Sequence, residues 1–178
     1  ELGGAVQDTP GLDLLAILRG SEGMLGIVTE VTVALLPKPP EVVVMLAAFS
    51  DVEAAGDAVA NIIGQGIIPA GMEMMDQLAV QAAEQFAKAG YPADAAAILL
   101  IELDGSASEI QALTDQVTRT VEGAGAFSVD IATDEKEQMR LWKGRKSAFP
   151  AVGRLAPDYY CMDGTIPRHQ LSVVLRRI

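Results

Sequence analysis

Pro37-Lys38-Pro39-Pro40-Glu41-Val42-Val43-Val44-Met45-Leu46-Ala47-Ala48-Phe49-Ser50-Asp51-Val52-Glu53 sets the plan of the chain. Proline fixes φ and has no N–H to give a ladder, so residues 37–41 read as a stiff, extended linker and a domain boundary. The apolar run 42–49 is a strand. Ser50-Asp51-Val52-Glu53 then has the form of a capping box, in which the Ser50 hydroxyl and the Glu53 carboxylate satisfy each other's backbone N–H groups. The helix it opens carries Val52, Ala55, Val59 and Ile62 on one stripe and stops at Gly64 or Gly66.

The same alternation continues downstream. Residues 67–75 are extended, and Asp76 caps a helix to about Lys88. Residues 96–103 form a buried strand. Ser106-Ala107-Ser108-Glu109 repeats the capping box, and Ile110, Leu113, Val117 and Val121 line the face of a helix that ends at Gly123. Residues 127–131 are a strand, 133–149 a helix and 159–162 extended. Pro167 fits the first position of a last helix, whose stripe of Leu171, Val174, Leu175 and Ile178 is unfinished at the end of the sequence. Two β-α-β units with antiparallel pairing and helices on one face give an α+β sandwich. A parallel α/β sheet satisfies the same alternation.

Upstream of the linker, Gly3-Gly4 and Pro10-Gly11 are turn signals, and residues 13–18 form a short apolar segment. Gly20-Ser21-Glu22-Gly23-Met24-Leu25-Gly26 places three glycines in seven residues and runs into Ile27-Val28-Thr29-Glu30. Glycine permits φ > 0 and lacks the Cβ that would hold a ligand off, so this is a cofactor-facing turn feeding a strand at 27–36. It matches neither the G-x-G-x-x-G dinucleotide fingerprint nor a Walker loop.

Half of the residues are hydrophobic, enough for a sizeable core, and the net charge is −11. Nucleic acid is a poor partner for such a chain, because phosphate binding needs clustered Lys and Arg. No run approaches the roughly 18 apolar residues of a membrane span. Glu1 is not followed by a basic stretch and an apolar run, so the chain reads as a soluble protein trimmed at its start. One cysteine, Cys161, and one histidine, His169, give neither an internal disulfide nor a cluster of metal ligands.

Met139, Trp142, Arg145 and Phe149 follow steps of three, three and four, and so share one helical face. Arg145 is then a guanidinium on a stripe expected to be buried, and it needs an anion. That anion is either a substrate carboxylate gripped by a bidentate pair or an internal carboxylate such as Asp163. Tyr159 and Tyr160 stand beside a turn at Asp163-Gly164. Met72, Met74 and Met75 surround Glu73 and Asp76, two carboxylates read here as structural. His169 reads as solvated, with no proton-transfer partner in sight.

The stretch from Gly20 to Glu30 resembles the closing FAD-contact segment of FAD-linked oxidases of the vanillyl-alcohol-oxidase type. Leu141-Trp142-Lys143-Gly144-Arg145-Lys146-Ser147-Ala148-Phe149-Pro150-Ala151-Val152-Gly153-Arg154 and Ala156-Pro157-Asp158-Tyr159-Tyr160-Cys161-Met162-Asp163-Gly164-Thr165-Ile166-Pro167 are similar to the FAD-binding subunit of bacterial glycolate oxidases, and favour it over the other members of the FAD-linked D-2-hydroxy acid (D-lactate) dehydrogenase family. The resemblance implies an enzyme that moves a hydride from the α-carbon of a D-2-hydroxy acid, such as glycolate or D-lactate, to flavin. It implies that residues 1–36 close an FAD-binding domain, with Gly20, Ser21, Gly23, Gly26 and Ile27 at the cofactor. Residues 42–178 would form an α+β, ferredoxin-like cap domain with an antiparallel sheet, and Arg145 would hold the substrate carboxylate.

The resemblance further implies a glycine-rich pyrophosphate loop upstream, and metal-linked histidines downstream, of this sequence. The 178 residues alone are therefore expected to be inactive. Phe149 and Cys161 occupy positions where some relatives place polar or basic substrate contacts, which leaves the hydroxy acid open. Other oxidase subunits, FAD-binding-like and iron–sulfur, are implied as partners, with a cytoplasmic location peripheral to the inner membrane through them. A non-catalytic ferredoxin-like binding or assembly module is the competing reading, because fold does not fix function.

Overall fold

The computed structural model describes residues 2–3, 11–156, 158–175 and 177. Gly4, Pro10, Pro157 and Ile178, which figure in the turns, motif and stripe above, lie outside the described residues. The chain divides into two units, Glu1–Lys38 and Pro39–Ile178.

In the first unit, Asp13 caps a one-turn helix, α1 (Leu14–Leu18), its carboxylate accepting the Ala16 N–H at 3.0 Å. The strand expected at 27–36 does not form. A strand exists only as part of a ladder, and none of the described residues pairs with this segment, so its β-branched side chains stand exposed.

The second unit is built on a four-stranded sheet. Its strands are β1 (Glu41–Phe49), β2 (Gly71–Asp76), β3 (Ala97–Gly105) and β4 (Ala126–Ala132), in the order β2-β3-β1-β4. Every neighbouring pair is antiparallel, with Met45 opposite Ile101 on one side and Ile131 on the other. This resolves the choice left by the alternation: the domain is α+β, with the split order of a ferredoxin-like sheet.

The helices do not share one face, as the sandwich reading expected. Helices α2 (Val52–Gly64) and α4 (Ala107–Gly123) pack Ala58, Ile62, Val117 and Val121 against Met45, Phe49, Leu99 and Ile101. Helices α3 (Gln77–Ala87) and α5 (Glu135–Val152) pack Val80, Ala83 and Leu141 against Val44, Leu46, Ile98 and Leu100 on the opposite face. The central strands are therefore buried on both sides. Val43 to Phe49 are buried without a break, where an antiparallel strand with one wet face would alternate.

Local boundaries follow the capping chemistry. At α2 the cap is Asp51, one residue past the expected Ser50, and its carboxylate accepts the Ala54 N–H at 3.4 Å. Asp is as good a cap as Ser and adds a favourable charge at the positive helix end. Asp76 caps α3 as expected, accepting from Ala79 at 2.9 Å. Residues 67–70 stay outside β2, and 159–162 pair with no strand among the described residues. Pro167 stands just before a 3-10 turn, Arg168–Gln170, and the short α6 (Leu171–Leu175), which packs on α2. Among the described residues, no helix is long and apolar enough to cross a membrane.

The second capping box is complete. The Ser106 hydroxyl accepts the Glu109 N–H, and the Glu109 carboxylate accepts the Ser106 N–H at 2.9 Å. Hydrogen bonds from the Ser106 side chain and backbone hold the Glu109 carboxyl below its ordinary pKa. Ser106→Ala is expected to lower stability by about 1 kcal/mol at neutral pH in denaturant unfolding. A depressed carboxyl stabilises the fold above its unfolded pKa and stops doing so as pH falls through its folded value. The gap between wild type and variant should therefore narrow on acidification.

Candidate functional site

Helix α5 is held at three places, once by the sheet and twice by the loop after α3. At its N-terminal end, the Gln138 side-chain amide donates to the carbonyls of Val42 at 2.8 Å, and of Ala132 and Thr133 at 3.3 Å. In its middle, Gly144 lies so close to the loop after α3 that a Cβ there would sit 2.5 Å from Ala89 Cβ and 2.6 Å from the Tyr91 hydroxyl. Only glycine allows that approach. Between these two points, the buried Tyr91 hydroxyl donates to the carbonyl of Leu141.

That loop is itself held in place. Lys88 and Gly90 take positive φ, at 50° and 81°. The Glu84 carboxylate accepts the N–H groups of Gly90 at 2.9 Å and Tyr91 at 3.0 Å. Arg140 closes the loop from α5 by donating to the Ala89 carbonyl at 2.8 Å.

The buried stripe of α5 is Leu141, Gly144, Ser147 and Ala151. Trp142 and Arg145 each lie one residue further on, about 100° round the helix. They reach the sheet near its β2 edge. The Trp142 indole N–H donates to Glu102 Oε2 on β3 at 2.7 Å, and its ring covers Gly71. Arg145 Nε and Nη2 both donate to Glu73 Oε2 on β2, at 3.1 and 2.9 Å. Glu102 is opposite Gly71 and Glu73 opposite Leu100, so the two carboxylates are diagonal neighbours on one face. An indole and a guanidinium one turn apart on a helix thus grip two glutamates on adjacent strands.

The structure departs from the sequence reading of this region in two respects. Met139 and Phe149 are exposed, so they do not share a buried stripe with Arg145. Arg145 is half-buried, with 35% of its side chain exposed, and its internal partner is Glu73, not Asp163. Glu73 and Asp76 both have structural partners, as expected: Glu73 in the ion pair with Arg145 and Asp76 in the cap of α3. The signal for Glu73 was a lone charge in the apolar run Gly71-Met72-Glu73-Met74-Met75, but spacing along one chain cannot match it to a helix 72 residues away. Glu102, Tyr91 and Gly144 also escaped the sequence reading. Phe149 packs edge-on against Tyr159 at 5.9 Å, while Tyr160, Cys161 and His169 are exposed.

The glycine turn is described within its own unit. Gly20 and Gly23 take φ of 78° and 80°, with Glu22 at 50° between them. A Cβ on Gly20 or Gly23 would meet nothing within 4 Å, whereas one on Gly26 would lie 2.9 Å from Leu18 Cδ2. Ser21 and Met24 spend their N–H groups inside the turn, on the carbonyls of Leu18 and Ser21. Those of Gly20, Gly23, Gly26 and Ile27 have no acceptor among the described residues. Open glycines with unspent backbone donors fit contact with a dinucleotide such as FAD.

Burial pushes the Tyr91 hydroxyl up to about 12. A phenol that stays neutral longer when folded stabilises the fold below its unfolded pKa, and that contribution is lost as pH rises from about 10 to about 12. Tyr91→Phe is expected to flatten the loss of stability over that interval in unfolding measured against pH. It should also cost about 1 kcal/mol at neutral pH through the lost bond to Leu141.

Comparison with known proteins places these features together. Residues 38–178 match the family described as FAD linked oxidases, C-terminal domain. Over 177 residues the chain is 60% identical to the glycolate oxidase subunit GlcD of Escherichia coli (strain K12), covering 99% of this chain and 36% of that protein. It is 30% identical over 170 residues to the "Probable D-lactate dehydrogenase, mitochondrial" of Danio rerio, covering 93% and 33% of the two. A solved structure of alkyldihydroxyacetonephosphate synthase shares the fold, with a TM-score of 0.64 and 18% identity over 86% of this chain and 32% of that one. The chain spans about a third of the length of these curated relatives. With its antiparallel sheet covered on both faces, and with the match running from the proline linker to the last residue, the chain belongs to the FAD-linked oxidases and carries their C-terminal domain.

Proposed function

We propose that this chain is part of an FAD-dependent oxidoreductase that converts a small D-2-hydroxy acid, glycolate or D-lactate, to the 2-oxo acid, and that Arg145 holds the substrate carboxylate. The observation that carries this is a half-buried guanidinium on a helix seated by Gly144 and Tyr91, with part of its fork open to solvent. A planar fork pairs with a carboxylate through two parallel hydrogen bonds. A carboxylate held at both oxygens leaves its α-carbon one remaining rotation, and that is how binding becomes orientation. The similarity to a glycolate oxidase subunit and to D-lactate dehydrogenases supports the choice of a 2-hydroxy acid.

In the same reading, residues 1–36 close the FAD-binding domain, 37–41 link it, and 42–178 form the substrate domain. Gly20, Gly23, Gly26 and Ile27 would hold FAD through backbone N–H groups, with the Ser21 hydroxyl beside them. When bound, FAD supplies the acceptor for the hydride that leaves the substrate. Other oxidase subunits, FAD-binding-like and iron–sulfur, are the partners this reading expects, on the cytoplasmic side of the inner membrane and peripheral to it. The name of the E. coli relative, a subunit, supports that expectation.

Arg145→Lys in the full-length protein keeps the charge and loses the fork. It is expected to raise KM for glycolate by roughly ten-fold. Steady-state kinetics with unchanged KM and kcat would sink the carboxylate assignment. The 178-residue chain purified alone is expected to show no visible flavin band and no glycolate-dependent dye reduction. Finding both would overturn the division of labour drawn here.

A further inference from the structure

Arg145 meets Glu73 with the side of its guanidinium. Nε and Nη2 converge on a single oxygen, Glu73 Oε2. The group is planar, so this contact fixes the remainder: Nη1 and the second N–H of Nη2 form an end edge directed away from Glu73. Among the described residues, nothing accepts a hydrogen bond from that edge.

The two partners stand on rigid supports. Glu73 is in the middle of β2, paired with Leu100 and followed two residues later by the buried Met75. Arg145 is one turn from Trp142, which is tied to Glu102. An arginine side chain has four flexible torsions, and among the described residues Glu73 is the hydrogen-bond partner that restrains them. The pair is 35% and 41% exposed, so its hold on the guanidinium is a modest bias in orientation rather than a lock.

We propose that Glu73 is a positioning residue for anion recognition: it occupies the side edge of Arg145 and thereby presents the end edge to an incoming carboxylate. This rests on the reading of Arg145 as the carboxylate holder. Glu73 carries a negative charge as well as an acceptor, and the charge by itself opposes a second carboxylate nearby. A test must therefore separate the acceptor from the charge.

Glu73→Gln and Glu73→Met in the full-length protein do so. Both are neutral and of similar length, and only Gln retains an oxygen that can accept from Nε and Nη2. With glycolate as substrate, KM of the Met variant is expected to be roughly five-fold above that of the Gln variant, with kcat values within about two-fold of each other, the difference being the cost of reordering a freed side chain on binding. Equal KM values would overturn the proposal, and so would a lower KM in the Met variant. Should the Met variant not fold, as judged by circular dichroism, Glu73→Ala replaces it in the same ratio. Arg145→Lys run in parallel separates the two levels. If it raises KM while the Gln and Met variants agree, only the role of Glu73 falls. If it leaves KM unchanged, the reading of Arg145 falls too.

Discussion

The central strands have no face to spare for water. Val43 to Phe49 on β1 and Ala97 to Ile101 on β3 are buried without interruption, so apolar side chains project from both sides of the sheet. Each buried Leu, Ile, Met or Phe is worth about 1.5–3 kcal/mol relative to exposure, and leaving either face bare would forfeit several of them. The sheet must therefore be covered twice. Helices α2 and α4 take one side and α3 and α5 the other, and the position of everything on α5 follows from that second layer.

Close packing then turns a helix into a platform. Gly144 lets α5 settle onto Ala89 and Tyr91, and the Glu84 carboxylate holds the loop they belong to. The stripe that faces inward is made of small residues and one leucine, so the helix approaches closely. The large side chains one step round it, Trp142 and Arg145, lean out to the β2 edge, where the indole N–H meets Glu102 and the guanidinium meets Glu73. Charge pairing contributes little to holding this corner together, because both members of the Arg145–Glu73 pair are partly solvated. Packing decides where Arg145 stands, and the carboxylate decides how its fork is turned.

The parts of this arrangement that could be read in advance are local. Ser106 with Glu109, and Asp76 before α3, are legible because a cap is settled within four residues of chain. The shift from Ser50 to Asp51 is the ordinary ambiguity of two adjacent caps of equal strength. The buried face of α5 departs from its hydrophobic pattern for a different reason. Met139, Trp142 and Phe149 dominate any hydrophobic pattern, whereas Gly144, Ser147 and Ala151 weigh little in it and yet form the buried stripe. Small residues mark a close approach, and the pattern of a single helix does not record what approaches it. Residues 27–36 carry every β-branched signal of a strand and none of the pairing, since a ladder is a property of two segments.

Legible within the sequence are the alternation of strands and helices from β1 to α5, the caps that start α3 and α4, and the singling out of Arg145 and the glycine turn, whereas the expected extended segment at 159–162 joins no strand among the described residues and the expected last helix is a 3-10 turn followed by the short α6. Each of the legible features depends on φ restrictions, capping or periodicity within a few residues. Long-range packing sets the antiparallel strand order β2-β3-β1-β4, the cover of helices on both faces, and the meeting of Arg145 with Glu73 rather than Asp163. Those outcomes depend on contacts between residues far apart in the chain, such as Glu73 and Arg145. They follow from how several apolar faces are buried at once, a condition that no single segment contains.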